Sequence, residues 1–335
     1  MNKKINLVLI LGIIALFTSA ILIYCSSKWN LTPNKTIKPT RQIKVLQLNP
    51  IGRNADDTQV KNVDIDKKEK NMFGTKKTAY CVQKAEYTKK DLKQIASCLN
   101  TKIEEMNANE NTKTYDLDNE GVLVYYDNSG SISYISDDNT TEDILKKHKL
   151  NKQKCIKVAE DFIKKSNIID SKSLVLSDVQ IGGTIETNTG ESPLSYQITF
   201  MKKAPQGVDG FAGIGPGIRI DVNHKYEISS FTCINKDIVE LEDKYDTLTL
   251  KEAEERIEKN QELQLNTNAT YIKNNTLTDV SINDVEVRLY CDSVNLKQQY
   301  MAPYYVLTGK DKSGAKVSLT MPAICDSEIQ VKEID

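Results

Sequence analysis

Apolar residues recur at steps of three and four in three segments of the chain, and this spacing predicts three amphipathic helices. The first has an apolar face formed by Leu92, Ile95, Ala96, Leu99, Ile103 and Met106. The second covers residues 152–167, and its face contains Cys155, Ala159, Phe162, Ile163 and Ser166. The third presents Leu250, Ala253 and Ile257. Thr88 with Asp91, and Thr249 with Glu252, have the spacing of N-terminal capping boxes and predict where the first and third helices begin.

Apolar and polar residues alternate in other segments, and this period of two predicts strands that are buried on one face. Two hairpins are predicted, from residues 122–126 with 132–134 and from residues 304–307 with 317–319. Further strands are predicted within residues 43–48, 196–200, 218–223, 228–234 and 285–289. Helix and strands thus alternate three times. This order predicts an α+β fold, in which an N-terminal transmembrane helix precedes serial modules, each a helix packed on a curved antiparallel sheet.

The same patterns divide the chain into five segments. These are a membrane anchor at residues 1–27, a polar linker at 28–75, and α+β modules at 76–145, 146–245 and 246–335. The linker prediction rests on its prolines and on the charged run DIDKKEK at residues 64–70, which has too few apolar residues to form a core.

The anchor is predicted from the apolar run LVLILGIIALFTSAILIYC at residues 7–25. As a helix it would be about 28 Å long, close to the thickness of the hydrocarbon core of a bilayer. Two lysines precede the run, which predicts a single-pass protein of the cell membrane with its C-terminal part outside the cytoplasm. Gly12, Ala15 and Ser19 have the spacing that allows close packing against another membrane helix.

Two alternatives for this segment stay open. The small residues Thr18, Ser19 and Ala20 could form a signal-peptide cleavage site, and Cys25 could be a lipidated cysteine. Both alternatives also place residues 28–335 outside the cytoplasm.

Charge argues against a nucleic-acid-binding protein. The chain has 45 Lys and Arg against 46 Asp and Glu, and its mean hydropathy is −0.45. Without Lys3 and Lys4 the remainder carries 43 basic and 46 acidic residues, a charge of −3. A mildly acidic domain has no electrostatic attraction to nucleic acid or to anionic lipid headgroups.

Residues with catalytic or metal-binding chemistry are sparse. The chain has two histidines, His148 and His224, far apart and without the spacing of a zinc site, and His224 is predicted to be solvated on a loop. The cysteines outside the anchor are Cys81, Cys98, Cys155, Cys233, Cys291 and Cys325. They permit three disulfides or serve as buried apolar residues. No nucleophile elbow is present, so we predict no catalytic, cofactor or metal site and no enzymatic activity; an exported hydrolase is the least favoured class.

The most distinctive motif is the glycine-rich segment GVDGFAGIGPG at residues 207–217. A strand pattern follows it rather than a helix start, which excludes a phosphate-binding loop. The pattern predicts a long mobile loop between paired strands, and Val208, Phe211 and Ile214 are its candidate partner-contact residues. Deletion of residues 208–214 is predicted to leave folding intact and to reduce partner binding.

Two stretches resemble bacterial PepSY-type modules: GIRIDVNHKYEI at residues 217–228 with LKEA at 250–253, and APYYVL at 302–307 with MPAI at 321–324. One anchor followed by serial modules resembles the YycH/YycI-type regulatory proteins of low-GC Gram-positive bacteria. The resemblance implies a non-enzymatic accessory of a cell-envelope sensor kinase in a two-component system, which contacts another membrane or envelope protein. It identifies no catalytic residue or cofactor. The alternative function is a surface-exposed protein or lipoprotein that binds a ligand or the cell wall.

Overall fold

The computed structural model describes residues 45–50, 58–136, 150–187, 190–268, 272 and 276–331, all within the compact unit Ile43–Asp335. Strands account for 52% and helices for 18% of this part. The α-helices are α1 (Lys89–Cys98), α2 (Lys152–Ser166) and α3 (Leu250–Glu258). Short 3-10 helices span Lys67–Met72, Ser171–Ser173 and Asp326–Glu328.

The helix starts follow local sequence. Thr88 with Asp91 and Thr249 with Glu252 form the predicted capping boxes, and Asn151 caps α2. The end of the first helix was predicted wrongly. The chain turns at Asn100, whose φ of 58° lies in the left-handed region, and Ile103 and Met106 belong to a strand instead.

The strands, in chain order, are β1 (Leu46–Leu48), β2 (Gln59–Ile65), β3 (Lys76–Lys84), β4 (Ile103–Ala108), β5 (Thr112–Leu117), β6 (Val122–Tyr126), β7 (Ser131–Ile135), β8 (Leu174–Ile181), β9 (Thr184–Thr187), β10 (Gly190–Pro193), β11 (Ser195–Lys202), β12 (Gly210–Gly213), β13 (Gly217–Asn223), β14 (Ile228–Ile234), β15 (Lys236–Asp246), β16 (Gln264–Thr267), β17 (Thr276–Cys291), β18 (Tyr300–Met301), β19 (Pro303–Lys310), β20 (Lys316–Pro322) and β21 (Ile329–Val331).

The largest sheet has eight antiparallel strands in the order β4-β5-β6-β7-β14-β13-β11-β8. The predicted hairpin of β6 and β7 lies within it. Helices α1 and α2 pack on one face, where the apolar residues of α1 and α2 and of the strands form one core. Phe162 of α2 packs against Phe231 of β14, with ring centroids 5.2 Å apart. Among the described residues, no helix packs on the opposite face of the sheet.

A second sheet is centred on the long strand β17. Its order is β12-β17-β19-β20-β16, and β2 also pairs with β17. Strands β2 and β12 are parallel to β17 along one edge, whereas β19 is antiparallel along the other. The predicted hairpin of β19 and β20 is present. Ala253 and Ile257 of α3 are fully buried in the core of this sheet.

Three smaller sheets complete the described part. They are β15-β3-β18, the hairpin β9-β10, and the parallel pair β1-β21. Leu46 and Leu48 of β1 pack in an apolar cluster with Leu241, Tyr245 and Tyr304, so the pair is attached to the rest of the molecule.

The predicted fold class, an α+β protein with serial helix-on-sheet modules, is wrong because the described part is mostly β. The physical reason is that strands pair across the predicted module boundaries. The pairing of β7 with β14 joins the first two predicted modules in one sheet. Residues 59–65, placed in the predicted linker, form a strand that pairs with β17.

No helix in the described ranges is long and apolar enough to cross a membrane. The segment predicted to form the transmembrane helix, residues 7–25 with Gly12, Ala15, Ser19 and Cys25, lies outside the described residues.

Candidate functional site

The side chains of the eight-stranded sheet alternate between its two faces, as they do in any strand. In β13, Ile218 and Ile220 are buried in the core under the helices, whereas Arg219 is exposed on the other side. The same alternation in the other strands collects polar and small side chains on the helix-free side. This side of the sheet is therefore a candidate surface for contact with another molecule.

Strand register aligns these side chains in two rows across all eight strands. One row contains Asn107, Thr114, Val124, Ser133, Thr232, Arg219, Thr199 and Asp178. The next contains Glu105, Asp116, Val122, Ile135, Ser230, Asp221, Gln197 and Gln180. We call these two rows the open face. Seven steps of about 4.8 Å between neighbouring strands make it about 34 Å wide.

The open face is acidic, with four carboxylates and one guanidinium. The carboxylate of Asp221 is held in place by its neighbours: it accepts hydrogen bonds from Gln197 Nε2 at 3.2 Å and from Ser230 Oγ at 2.6 Å. Asn107 donates to Asp116 at 3.3 Å. Arg219 forms no ion pair with any described residue. The hydrogen-bonded carboxylates are thus preorganised to meet positive charge.

An apolar patch lies within this polar surface. Ile135 is 63% exposed, the highest value among the exposed large hydrophobic side chains of the described residues. Val122 lies directly opposite it on β6 and is half-buried. Ile135 lies between Val122 and Ser230, and the carboxylates of Asp116 and Asp221 follow on the next strand on either side. This arrangement resembles the centre of a protein contact, where apolar area is surrounded by a polar rim.

The glycine-rich segment differs from the predicted mobile loop. Residues 210–213 form β12, which pairs with β17 of the second sheet. Val208 and Phe211 are partly buried against a core cluster that includes Leu289 and Met301. Of the three candidate partner-contact residues, only Ile214 is largely exposed, at 40%.

Ile214 lies at one end of the open face. Together with Thr199, Met201, Arg219, Thr232 and Val294 it lines a small cavity of about 190 Å³. The structure therefore brings Ile214 next to the open face and places Val208 and Phe211 in the packing between strands.

Gly213 lies where two backbone segments approach each other closely. Gly213 has a φ of +72°, and a Cβ at this position would lie 2.4 Å from the carbonyl oxygen of Cys291. The close approach of β12 to the end of β17 explains the glycine at position 213, and it depends on a partner strand that is distant in the sequence.

A second site lies on the helix side of the sheet. A cavity of about 460 Å³ opens between the end of α1, the exposed side of α2 and the turn that joins β13 to β14. It is lined by Cys98, Leu99, Asn100, Asn119, Tyr134, Ser136, Val158, Asp161, Phe162, Lys165, Asn223, Lys225, Tyr226, Glu227 and Ile228. We call it the helix cavity. Its volume is in the range of small-molecule sites.

The cysteines and histidines form no reactive cluster in the part that the structure describes. No group of three or more His, Cys, Asp and Glu there could hold a metal ion. The six described cysteines are free thiols, and burial raises the pKa of Cys155 to about 11. His224 is buried rather than solvated as predicted, and its Nε2 has no hydrogen-bond partner among the described residues. His148 lies outside them.

Sequence reasoning found neither site. The period of two predicted which residues alternate, but the rows of the open face depend on strand partners far apart in the chain. Arg219 and Ser133, for example, lie in one row because Thr232 of β14 pairs with both of them.

The chain matches no family model, and no curated protein matches it. Among solved structures it is similar to the crystal structure of an uncharacterized protein from Eubacterium rectale ATCC 33656. The two share 11% identity with a TM-score of 0.41, over 85% of this chain and 94% of that chain. These comparisons give no support to the resemblance to PepSY-type and YycH/YycI-type proteins, and we correct that family assignment accordingly.

Proposed function

We propose that this protein acts without catalysis, by binding another protein through the open face. The observation that carries the proposal is the aligned acidic surface around Ile135, with its carboxylates held by hydrogen bonds. The partner is expected to present basic side chains around an apolar group, because opposite charges across an interface speed association and exclude wrong partners.

A location outside the cytoplasm is part of the proposal. Its support is the apolar run of residues 7–25, which every interpretation of the N-terminus treats as an export signal or anchor.

Photo-crosslinking in intact cells tests the contact. A photoreactive amino acid replaces Ile135 on the open face, and in a matched control it replaces Lys93, an exposed residue of α1 on the opposite side of the sheet. We expect a discrete adduct from position 135 and none from position 93. Adducts of equal yield from both positions, or none from position 135, would contradict the proposal.

Charge reversal gives a second test of the same contact, because different variants are expected to change the adduct yield in opposite directions. Glu105→Lys combined with Asp116→Lys should lower the adduct yield several-fold, because both changes remove attraction for a basic partner. Arg219→Glu should raise the yield, since it removes the only cation of the two rows. Glu258→Lys on α3 is the control and should change nothing. Equal effects of all variants would show that charge on this face has no role.

A further inference from the structure

The helix cavity has three walls of different origin. The end of α1 contributes Cys98 and Leu99, and α2 contributes Val158, Asp161, Phe162 and Lys165. The connection from β13 to β14 contributes residue 223 and residues 225–228. A site assembled from three elements that already pack on one core is fixed in shape before any ligand arrives.

One side of the helix cavity is apolar. Leu99, Val158 and Ile228 are partly buried against the main core, and Phe162 is fully buried within it. This side offers an apolar surface to a hydrocarbon or aromatic group of a ligand.

The two facing walls carry charges of both signs. Asp161 and Lys165 are one helical turn apart on α2, and Lys225 and Glu227 lie on the opposite turn. On α3 the same four-residue spacing closes an ion pair, Lys251 with Glu255 at 3.7 Å. Asp161 and Lys165 form no ion pair with any described residue, so both charges remain available in the helix cavity.

A buried hydrogen-bond donor completes the lining. The Tyr134 hydroxyl accepts a hydrogen bond from Asn119 Nδ2 at 3.1 Å, and the tyrosine is only 3% exposed. Its own proton has no acceptor among the described residues. A buried hydroxyl normally donates as well as accepts, so a ligand oxygen in the helix cavity would satisfy it.

We propose that the helix cavity binds a small zwitterion with an apolar side group, of the chemical class of free α-amino acids. The ligand carboxylate pairs with Lys165 and accepts from Tyr134, the ligand ammonium pairs with Asp161 or Glu227, and the apolar group lies on Leu99 and Val158. This site is on the opposite side of the sheet from the open face and does not rest on the protein contact proposed above.

The rate at which the Cys98 thiol is chemically labelled reports whether a ligand occupies the helix cavity. Its thiol lines the helix cavity, whereas the half-buried Cys81 and Cys325 lie elsewhere and serve as internal references. Burial raises the pKa of the Cys98 thiol. Labelling of the intact protein with N-ethylmaleimide is therefore done at about pH 8.5, where more thiolate forms. Peptide mass spectrometry gives the labelling rate of each cysteine.

L-leucine and L-phenylalanine are the probes. We expect either of them, at saturation, to slow Cys98 labelling at least threefold and to leave Cys81 and Cys325 unchanged. Phenethylamine and 3-phenylpropionate each keep only one charge and should protect Cys98 much less. Absence of protection by both amino acids, together with no heat of binding in calorimetry, would overturn the proposal. Equal protection by the singly charged compounds would overturn the assignment to a zwitterion.

Variants of α2 test the named contacts. Lys165→Gln and Asp161→Asn should each weaken binding of L-phenylalanine about tenfold, the effect of losing one charge-assisted hydrogen bond. Lys164→Gln is the matched control, because Lys164 is exposed on the same helix and does not line the helix cavity. Equal affinity of Lys165→Gln and Lys164→Gln would contradict the role of Lys165. Thermal unfolding of each variant shows that the fold is retained.

Discussion

At the scale of single residues, close approach of two backbones decides which side chain is tolerated. Gly213 combines a left-handed φ with a carbonyl oxygen 2.4 Å from the place of a Cβ, whereas Gly207 has a left-handed φ of +90° and open space around it. A side chain at either position would strain the backbone, but only a side chain at position 213 would also clash with a neighbouring strand. Comparing the two positions therefore distinguishes the cost of strain from the cost of the clash.

Gly213→Ala is expected to lower the free energy of unfolding by about 3 kcal/mol, because strain and displacement of β17 add. Gly207→Ala is the control and should cost about 1 kcal/mol, from strain alone. Denaturant unfolding of both variants measures the difference. Equal costs would mean that β12 does not approach Cys291 as described.

His224 is a buried residue with an unsatisfied ring nitrogen in the described part of the structure. It is 7% exposed, and its Nε2 has no partner among the described residues. An unsatisfied buried polar atom costs about 1–3 kcal/mol. His224→Leu is therefore expected to maintain or raise the free energy of unfolding, by up to about 1 kcal/mol after imperfect packing is included. A loss of stability in denaturant titration would show that this nitrogen has a partner in solution.

At the scale of elements, the capping boxes link sequence to pH dependence. Thr249 donates to Glu252 Oε2 from its backbone N–H at 2.7 Å and from its hydroxyl at 2.8 Å. These hydrogen bonds, the backbone one first, lower the pKa of Glu252. A carboxyl whose pKa falls on folding stabilises the protein above its ordinary pKa, and the contribution is lost as the pH falls through the lowered value.

Glu252→Ala should therefore cost about 1 kcal/mol at pH 7. The difference from the unmodified protein should shrink as the pH falls from the ordinary pKa of a glutamate carboxyl through the lowered pKa of Glu252, because the carboxyl then loses its charge. Glu258→Ala, at the other end of α3, is the control and should cost less than about 0.5 kcal/mol. Thermal unfolding at several pH values measures both, and a cost of Glu252→Ala that does not change with pH would contradict this account.

The three helices and both hairpins were readable from the sequence, whereas other strands, such as β3, β8 and β15, were not predicted. Helix α2 was expected at residues 152–167 and spans Lys152–Ser166, and both predicted hairpins are present. The error at Ile103 and Met106 arose because their spacing continues the helical pattern, and only the left-handed turn at Asn100 interrupts it. Local periodicity identifies an element but does not show where a turn conformation ends it.

At the scale of the whole molecule, what could not be predicted is which strands are neighbours. The register of β14 on β7 joins residues about a hundred positions apart, and the sequence carries no local signal for such a pairing. The open face depends on this register, so it could not be anticipated. The helix cavity likewise required the packing of α1 beside α2.

The shared sheet predicts how fragments behave. A fragment of residues 146–245 contains β8, β11, β13 and β14 but lacks β7, so it leaves the edge of β14 unpaired. We expect it to show no cooperative unfolding transition, whereas a fragment of residues 76–245 retains all eight strands and should unfold cooperatively. Circular dichroism during urea titration measures both. A cooperative transition of the shorter fragment would show that the second predicted module is independent.

The parallel pair of β1 and β21 has a mechanical consequence. Leu46 lies opposite Ile329 and Leu48 opposite Val331, so the two strands run in the same direction. Tension applied between residues 46 and 331 pulls these strands past each other along their length. Their hydrogen bonds are then loaded in shear and must break together, whereas an antiparallel pair pulled at adjacent ends would unzip one bond at a time. The parallel pair therefore resists tension applied at these two residues, and its hydrogen bonds must break before that tension reaches the other sheets.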